Sequence, residues 1–208
     1  MTGRLVVLAS GSGSNLQALI DAAADGRLDA EIVAVYVNRR TAYARNRADD
    51  HGIPQDFVPM RPYLDQAAAT GDDERSGREA YDRDLAARIA HDRPDVVVCA
   101  GWMHLFTSAF LDAVATPVVN LHPALPGEFP GAHAIDDAWD AHVETGLSRT
   151  GVMVHLVPDE GVDDGPVLRS AEVPIHPDDT RAALEDRIHA LEHELLVDAV
   201  GELVAGDD

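Results

Sequence analysis

An amide and an imidazole stand two residues apart where an apolar segment of the chain meets a proline. Asn120 and His122 end the segment Val118-Val119-Asn120-Leu121-His122, and Pro123 follows directly. Side chains alternate across a β-strand, so a strand here puts both polar groups on one face. Proline has no N–H to donate, which predicts that the strand ends at this point.

This pair has two possible meanings. Acyl transfer needs a donor for a developing oxyanion and a group that moves protons near pH 7, and an amide beside an imidazole supplies both. In open α/β sheets, ligands also bind at the carboxyl ends of strands. The alternative is a strand end capped by two polar residues. These residues alone leave both interpretations open.

A glycine-rich turn, Ser10-Gly11-Ser12-Gly13-Ser14-Asn15, separates an apolar run at 4–9 from apolar residues at helical spacing. A strand, such a turn and a helix present backbone N–H groups and a positive helix end to a phosphate. A dinucleotide site would need glycine at Leu16 and an acidic residue at Asn38. A Walker site would need a lysine, and the chain has none. The turn therefore predicts a single phosphate monoester, with a tight turn that binds nothing as the alternative.

The composition excludes several classes of partner. The 208 residues carry a formal charge of −21, which argues against binding to nucleic acid or to an anionic membrane. An anionic substrate must therefore be held by a local site that works against the overall field. No signal peptide or bilayer-spanning apolar run is present, and Cys99 is the only cysteine, so we expect a cytoplasmic protein.

An apolar, aromatic loop and one arginine suggest a second binding region. The loop at 101–106 suits a flat heteroaromatic ligand, although burial against a neighbouring helix is the alternative. Arg78 stands at the predicted start of a helix, where a cation gains nothing from the helix dipole. It is therefore expected to face an anion, or else to be a solvated side chain.

The predicted elements alternate between strand and helix, which indicates an α/β fold with a doubly wound, mostly parallel sheet. The last two strands have no helix between them and are expected to pair antiparallel near the C-terminal end. We predict a mobile surface loop at 61–77. The predicted strands are 4–9, 31–38, 55–60, 95–101, 117–121, 150–157 and 167–175. One predicted helix follows the glycine-rich turn, and the others span 41–51, 78–93, 107–115, 134–146 and 177–204.

Five segments together carry a family resemblance. They are VVLASGSGSNLQALI, GREAYDRDL, PDVVVCAGWMHLF, VVNLHPALPGEFPG and VHLVPDEGVDDGPVL. Single pieces are weak, but their order and spacing are specific. Over nearly its whole length the chain resembles the phosphoribosylglycinamide formyltransferases, folate-dependent enzymes of purine synthesis with a Rossmann-like fold.

The resemblance implies transfer of the formyl group of 10-formyltetrahydrofolate, as cosubstrate, to the amine of glycinamide ribonucleotide, without a metal. It implies one domain over 1–208, with a ribonucleotide-binding half at about 1–100 and a folate-binding and catalytic half at about 101–208. The expected partners are these two small molecules, and the expected state is a monomer or homodimer. The matching residues are the catalytic trio Asn120, His122 and Asp163; the ribonucleotide contacts Gly13, Ser14, Asn15 and Glu192; and the folate contacts Arg78, Met103, His104, Leu105, Phe106 and Asn120.

Two positions in the resemblance need comment. Asp163 is preferred over Asp159 and Asp164 because of its spacing from the following Gly-Pro pair, with Asp164 as second choice. A carboxylate beside His122 is expected to raise the pKa of the imidazole. Glu128 stands where relatives often carry a basic residue, which puts any contact of that loop with the folate tail in doubt.

Other functions stay open. Methionyl-tRNA formyltransferases share the Asn-x-His-Pro core but usually carry a further C-terminal domain, and they must bind tRNA. Formyltetrahydrofolate hydrolases share the trio but normally have an extra N-terminal domain. A sugar-nucleotide formyltransferase and a non-catalytic binding protein are further candidates. His189, Glu192 and His193 also spell HxxEH, an inverted zinc-peptidase pattern.

Overall fold

A seven-stranded sheet forms the centre of the computed structural model, which describes residues 2–206. The strands are β1 (Gly3–Ala9), β2 (Ala30–Val37), β3 (Gln55–Phe57), β4 (Val96–Cys99), β5 (Val118–His122), β6 (Arg149–Leu156) and β7 (Val167–Pro174). The helices are α1 (Ser14–Ala24), α2 (Ala44–Asp50), α3 (Arg61–Thr70), α4 (Glu74–Asp92), α5 (Ser108–Leu111), α6 (Ala134–Thr145) and α7 (Arg181–Ala205).

The strand order is β3-β2-β1-β4-β5-β6-β7, and the pairs from β3 to β5 are parallel. Strand β6 runs antiparallel to both of its neighbours. The predicted doubly wound, mostly parallel sheet with an antiparallel strand near the C-terminal end is therefore confirmed. The direction of β6 relative to β5 was not predicted, because a helix connects the two strands and such connections usually join parallel strands.

Apolar side chains on both faces of the sheet bury it in the middle of the fold. The side chains of β1 alternate between two buried clusters, with Leu5 and Val7 on the α1 and α7 side and Val6 and Leu8 on the α4 side. All four are fully buried. Each such side chain contributes about 1.5–3 kcal/mol relative to its exposed state, so the two layers hold the sheet rigid beneath its loops.

The order in which the chain adds strands to the sheet switches sides at the neighbouring strands β1 and β4. After β1 the chain proceeds outward to β2 and β3, and it then returns to place β4 on the other side of β1. A crevice opens at the carboxyl ends of strands at such a switch point. Ser10 N–H donates to Gly101 O over 2.9 Å, and Met103 N–H donates to Ser10 Oγ over 2.9 Å. These bonds fix the glycine-rich turn against the aromatic loop.

The prediction of a mobile loop at 61–77 is wrong. Helix α3 occupies most of this segment, and α4 begins at Glu74 with Asp73 as its N-cap. Ala67 is the only residue of α3 classed as buried, so the segment lacks the apolar periodicity that marks a helix in sequence. Gly77 lets the two helices pack closely, because an added Cβ would lie 3.1 Å from Leu64 Cα.

The earlier start of α4 also corrects the argument about Arg78. That residue lies in the second turn of the helix and not at its N-terminus, so the dipole argument does not apply to it. The helix predicted at 107–115 is reduced to the single turn α5. Among residues 2–206, no helix is both long and apolar enough to cross a bilayer.

Candidate active site

Asp163 joins the two polar residues at the end of β5. Asn120 Nδ2 donates to Asp163 Oδ1 over 3.1 Å, and His122 Nδ1 lies 3.3 Å from Asp163 Oδ2. The side chain of His122 is only 4% exposed and that of Asp163 12% exposed, so the contacts are shielded from water. The predicted trio is therefore brought together in space, whereas its catalytic role stays a prediction.

The backbone around Asp163 holds its carboxylate in place. Its φ angle is 53°, a left-handed conformation that aspartate tolerates better than most residues. Gly131 N–H donates to Asp163 Oδ2 over 2.8 Å, which ties the loop after His122 to the acidic turn. Burial acts to raise the pKa of Asp163, but these partners and the neighbouring histidines lower it below its usual value. Asp163 is therefore an anion at neutral pH.

Within residues 2–206 the alternative carboxylates make no hydrogen bond or ion pair with Asn120 or His122, although Asp159 lines the same cleft. Asp159 and Asp164 are exposed, and Asp159 Oδ1 accepts a hydrogen bond from Gly161 N–H over 2.8 Å within the turn. Glu128 is paired with Arg149, whose Nη2 lies 3.1 Å from its Oε1. The unusual acidic residue in the loop is thus neutralised by a cation of β6.

The pKa of His122 departs from the expectation. Burial lowers it below the usual histidine value, and the Asp163 carboxylate and the Phe129 carbonyl offset this effect only in part. The carboxylate acts in the predicted direction, but the net pKa is lowered because desolvation exceeds the attraction of one carboxylate. At neutral pH the imidazole is uncharged.

Both ring nitrogens of His122 nevertheless face acceptors. Nε2 lies 3.0 Å from Phe129 O, and Nδ1 faces Asp163. A neutral imidazole can donate from one nitrogen only, whereas an imidazolium donates from both. The surroundings are therefore arranged to receive a proton that the resting histidine lacks.

Replacing Asp163 with asparagine should lower the pKa of His122 further, because the substitution removes a charge that favours the imidazolium. If the neutral imidazole is the active form, activity falls as pH decreases through this pKa. The acid limb of the rate profile then moves to lower pH in the variant. An NMR titration of the His122 ring measures the shift, with Asp164→Asn as the charge-matched control. An unchanged or raised pKa in Asp163→Asn would contradict the assignment of Asp163 as the partner.

His155 is a further residue of the site that sequence reasoning passed over. Its Nδ1 lies 2.8 Å from Leu156 O, which can only accept, so this nitrogen carries the proton. Nε2 lies 3.2 Å from Asn120 Nδ2 and 3.5 Å from Asp163 Oδ1. His155 thus fixes the orientation of the Asn120 amide. Asn120 and His155 are paired residues of the antiparallel strands β5 and β6, and knowledge of this pairing would have placed His155 in the site.

An apolar cleft of about 370 Å³ opens beside the trio. Met103 and Leu105 are 48% and 53% exposed, whereas Trp102 and Phe106 are buried. Phe106 stacks on Phe110 with ring centroids 4.0 Å apart. Burial therefore accounts for Trp102 and Phe106, whereas a ligand contact of Met103 and Leu105 stays a prediction. The cleft is lined by residues 101–106, the trio, His155 and part of the acidic turn.

Helix α4 anchors this loop at two points. Arg78 Nη2 donates to Leu105 O over 2.9 Å, and the buried Asp82 accepts from Thr107 N–H over 2.7 Å. His104 lies within the loop, and burial lowers its pKa to about 4, with a further contribution from nearby arginines. It is therefore neutral at physiological pH, and the loop carries no charge toward the cleft.

A polar cleft of about 380 Å³ adjoins the apolar one. Residues 10–15 line it, so Gly13, Ser14 and Asn15 lie where the sequence predicts a phosphate. Gly13 has φ 72°, and an added Cβ would lie 2.7 Å from Ala44 Cα, so the position requires glycine. Helix α1 begins here without a side-chain cap and without an acidic residue in its first turn. Its first N–H groups are thus available to an anion.

Glu192 reaches this cleft from α7. It is 5% exposed and accepts a hydrogen bond from Asn15 Nδ2 over 3.2 Å. Burial raises its pKa, although the bond from Asn15 acts in the opposite direction. Asn15 Oδ1 is buried and has no hydrogen-bond partner among the described residues. The pair therefore offers acceptors to the N–H or O–H groups of a ligand.

The metal alternative gains no support from geometry. Among residues 2–206, no group of three or more His, Cys, Asp and Glu side chains is arranged to hold a metal ion. Glu192 is bonded to Asn15, and His189 lines the polar cleft.

Comparisons with known proteins cover nearly the whole chain. The model of the formyl transferase family matches residues 3–200. Phosphoribosylglycinamide formyltransferase of Schizosaccharomyces pombe is 43% identical over 209 residues, covering 98% of this chain and 98% of the relative. The protein of the same name from Escherichia coli is 36% identical over 191 residues, covering 92% and 82%. The crystal structure of phosphoribosylglycinamide formyltransferase from Bacillus halodurans gives a TM-score of 0.85 at 31% identity, covering 99% and 97%.

Proposed function

This chain belongs to the formyl transferase family, and on that premise we propose that it transfers the formyl group of 10-formyltetrahydrofolate to the amine of glycinamide ribonucleotide in purine synthesis. The relatives named above support this assignment by their own names. The observation that carries it is the pair of adjoining clefts, one polar at an uncapped helix N-terminus and one apolar beside the trio.

The two clefts suit the two substrates. The ribonucleotide phosphate binds at Gly13, Ser14 and Asn15, and Glu192 accepts hydrogen bonds from its hydroxyl or amide groups. The pterin lies in the apolar cleft against the segment 103–106, and Arg78 faces the anionic end of the folate. Gly101, Met103, Leu121, Pro123 and Ala132 line both clefts, so the amine and the formyl group meet at this boundary.

We further propose that 1–208 act as one domain in the cytoplasm. The first 100 residues or so supply the phosphate loop, and the remainder supplies the folate cleft and the trio. The division is incomplete, because α6 and α7 of the second half also line the polar cleft. The two substrates are the expected partners, and the protein acts as a monomer or homodimer.

The chemistry requires no covalent enzyme intermediate. The amine attacks the formyl carbon, and the C=O electron pair moves to oxygen. One N–H of Asn120 turns to this oxyanion, where a single such donor contributes about 3 kcal/mol. The neutral His122 takes the proton that the attacking nitrogen loses, and Asp163 stabilises the resulting imidazolium. His122 then gives this proton to the folate nitrogen as the C–N bond breaks.

One contact must change for this step. Phe129 O covers Nε2 of His122 at 3.0 Å, so the substrate reaches that nitrogen only after the carbonyl moves aside. Phe129 has φ 43°, a left-handed conformation that a bulky residue adopts at a cost. This strain favours release of the contact when substrates bind.

Turnover with and without the ribonucleotide tests the proposed function. The protein should consume 10-formyltetrahydrofolate only when glycinamide ribonucleotide is present. Consumption without any acceptor would indicate a hydrolase. Turnover that requires methionyl-tRNA or an amino sugar nucleotide in its place would indicate another member of the family.

Replacing Asn15 with alanine should raise the KM for the ribonucleotide by about tenfold, because it removes an acceptor that faces the ligand and the hydrogen bond that orients Glu192, and each such bond contributes about 0.5–1.5 kcal/mol. The KM for the folate should stay unchanged, since Asn15 does not line the apolar cleft. Steady-state kinetics with each substrate varied in turn measure both values. Gln17→Ala, two residues further along α1, is the control. An unchanged ribonucleotide KM in Asn15→Ala would contradict the location of the phosphate.

A further inference from the structure

The polar cleft has to hold a phosphate although the chain carries a net charge of −21. Only two arginines, Arg39 and Arg181, line the cleft among the described residues. Its acidic lining residues are Asp136, Glu185 and Glu192. Which of these charges remains available decides whether an anion is attracted.

Arg181 is already neutralised. Its Nη2 lies 2.6 Å from Asp136 Oδ1, and its Nη1 lies 2.7 Å from Glu185 Oε2. The three side chains form one network at the start of α7, and its net charge is negative. Arg181 therefore has little attraction left for a phosphate, and its main effect is to screen the two carboxylates.

Arg39 differs from Arg181 in that its guanidinium has no partner in the described part of the chain. Its guanidinium makes no hydrogen bond or ion pair within residues 2–206, although it lines the cleft beside the glycine-rich turn. It follows β2 by two positions, so its backbone is fixed at the carboxyl edge of the sheet. Ion pairing is common for arginines in this acidic chain, as Arg75, Arg88, Arg149 and Arg187 illustrate.

The surroundings of Arg39 also suit an anionic ligand. Helix α1 lacks a cap at its N-terminus, whereas Asp73 caps α4 and Thr180 caps α7. Asn15 in the same cleft is 9% exposed, and its Oδ1 has no hydrogen-bond partner among the described residues. An anion at the helix end, with hydroxyl or amide groups beside it, would satisfy all of these groups.

We propose that Arg39 supplies the positive charge that binds the phosphate of the acceptor, between its guanidinium and the N-terminus of α1. This inference rests on the proposed function, because it assigns a recognition residue for the phosphorylated substrate. It explains how an acidic protein without lysine selects a phosphate monoester: one unpaired arginine faces an uncapped helix end. Arg39 is a binding residue and takes no part in proton transfer.

Arg40 offers a matched control for the test. It is the next residue, and its guanidinium lies 4.8 Å from the Phe57 ring centroid, outside the polar cleft. Arg39→Gln and Arg40→Gln change the net charge equally. Arg39→Gln should raise the ribonucleotide KM about tenfold or more. Arg40→Gln should change it less than about twofold. The value for Arg39→Lys should lie between those of wild type and Arg39→Gln, because charge is kept but the forked geometry is lost.

Inorganic phosphate provides a readout that does not depend on catalysis. Its titration should shift the amide resonances of Gly13 and Ser14 in wild type and Arg40→Gln, and much less in Arg39→Gln. Equal ribonucleotide KM values and equal phosphate binding in Arg39→Gln and Arg40→Gln would overturn the inference. A raised KM for the folate alone in Arg39→Gln would also overturn it. The two proposals can fail separately. If wild type does not transfer formyl groups, the proposed function fails. The role of Arg39 in phosphate binding still stands if wild type and Arg40→Gln bind inorganic phosphate and Arg39→Gln does not.

Discussion

Replacing His122 with alanine should lower kcat for formyl transfer by about 10³-fold, the middle of the range for loss of a group that moves protons. The attacking amine then has no base to receive its proton, and the folate nitrogen has no acid from which to regain it. Asp163 also loses the imidazolium that it would stabilise. The KM values should change much less, because His122 acts on the transition state and not on the bound substrates.

Two comparisons make this test specific. His91→Ala, at a side chain that is 91% exposed, should retain wild-type kcat. The acid limb of the pH profile should disappear in His122→Ala, since the group that produces it is gone. A kcat for His122→Ala within tenfold of wild type, with the acid limb retained, would assign the proton transfers to another residue.

Replacing Asn120 with alanine should lower kcat by about 10²–10³-fold, the effect of losing one donor to an oxyanion. The side chain lies at the border of the apolar cleft, where Nδ2 donates to Asp163 and lies 3.2 Å from His155 Nε2. Its loss therefore removes the oxyanion donor and also loosens both neighbours. Asn120→Asp should lower kcat at least as much. Nδ2 of Asn120 lies 3.1 Å from Asp163 Oδ1, so the substitution places a second carboxylate oxygen beside the first, and the two repel each other.

The exposed Asn46 supplies the control, and Asn46→Ala should behave as wild type. The folded state of Asn120→Ala is checked by its thermal unfolding, so that a loss of rate is not confused with a loss of structure. Wild-type kcat in a folded Asn120→Ala variant would exclude the amide as the oxyanion donor.

The trio was partly predictable because strand alternation is a local rule. Asn120 and His122 share a face for that reason, and Pro123 ends their strand as expected. Asp163 was reached through the family resemblance, since no local pattern connects residues that are more than 40 positions apart. Its contacts depend on a left-handed backbone angle and on Gly131 N–H, both of which are products of the folded loops.

Other features required the tertiary structure. The sequence anticipated the effect of Asp163 on the pKa of His122 but not the larger, opposite effect of burial, because a neighbouring carboxylate is easier to infer from sequence than the depth of burial. His155 was overlooked because its role arises from antiparallel pairing with Asn120, in a strand whose direction the helix connection obscured. The missed helix α3 shows the same limit, since a helix with a single buried residue leaves almost no apolar pattern.

The most direct test of formyl transfer to the ribonucleotide is a single-turnover reaction with labelled formyl in 10-formyltetrahydrofolate and excess enzyme. With glycinamide ribonucleotide present, the label should pass directly into the amide of the ribonucleotide product. No label should be found on acid-precipitated protein at any time, because the amine attacks the formyl carbon itself. Label on the protein, or label released as formate at the same rate with and without the ribonucleotide, would contradict direct transfer.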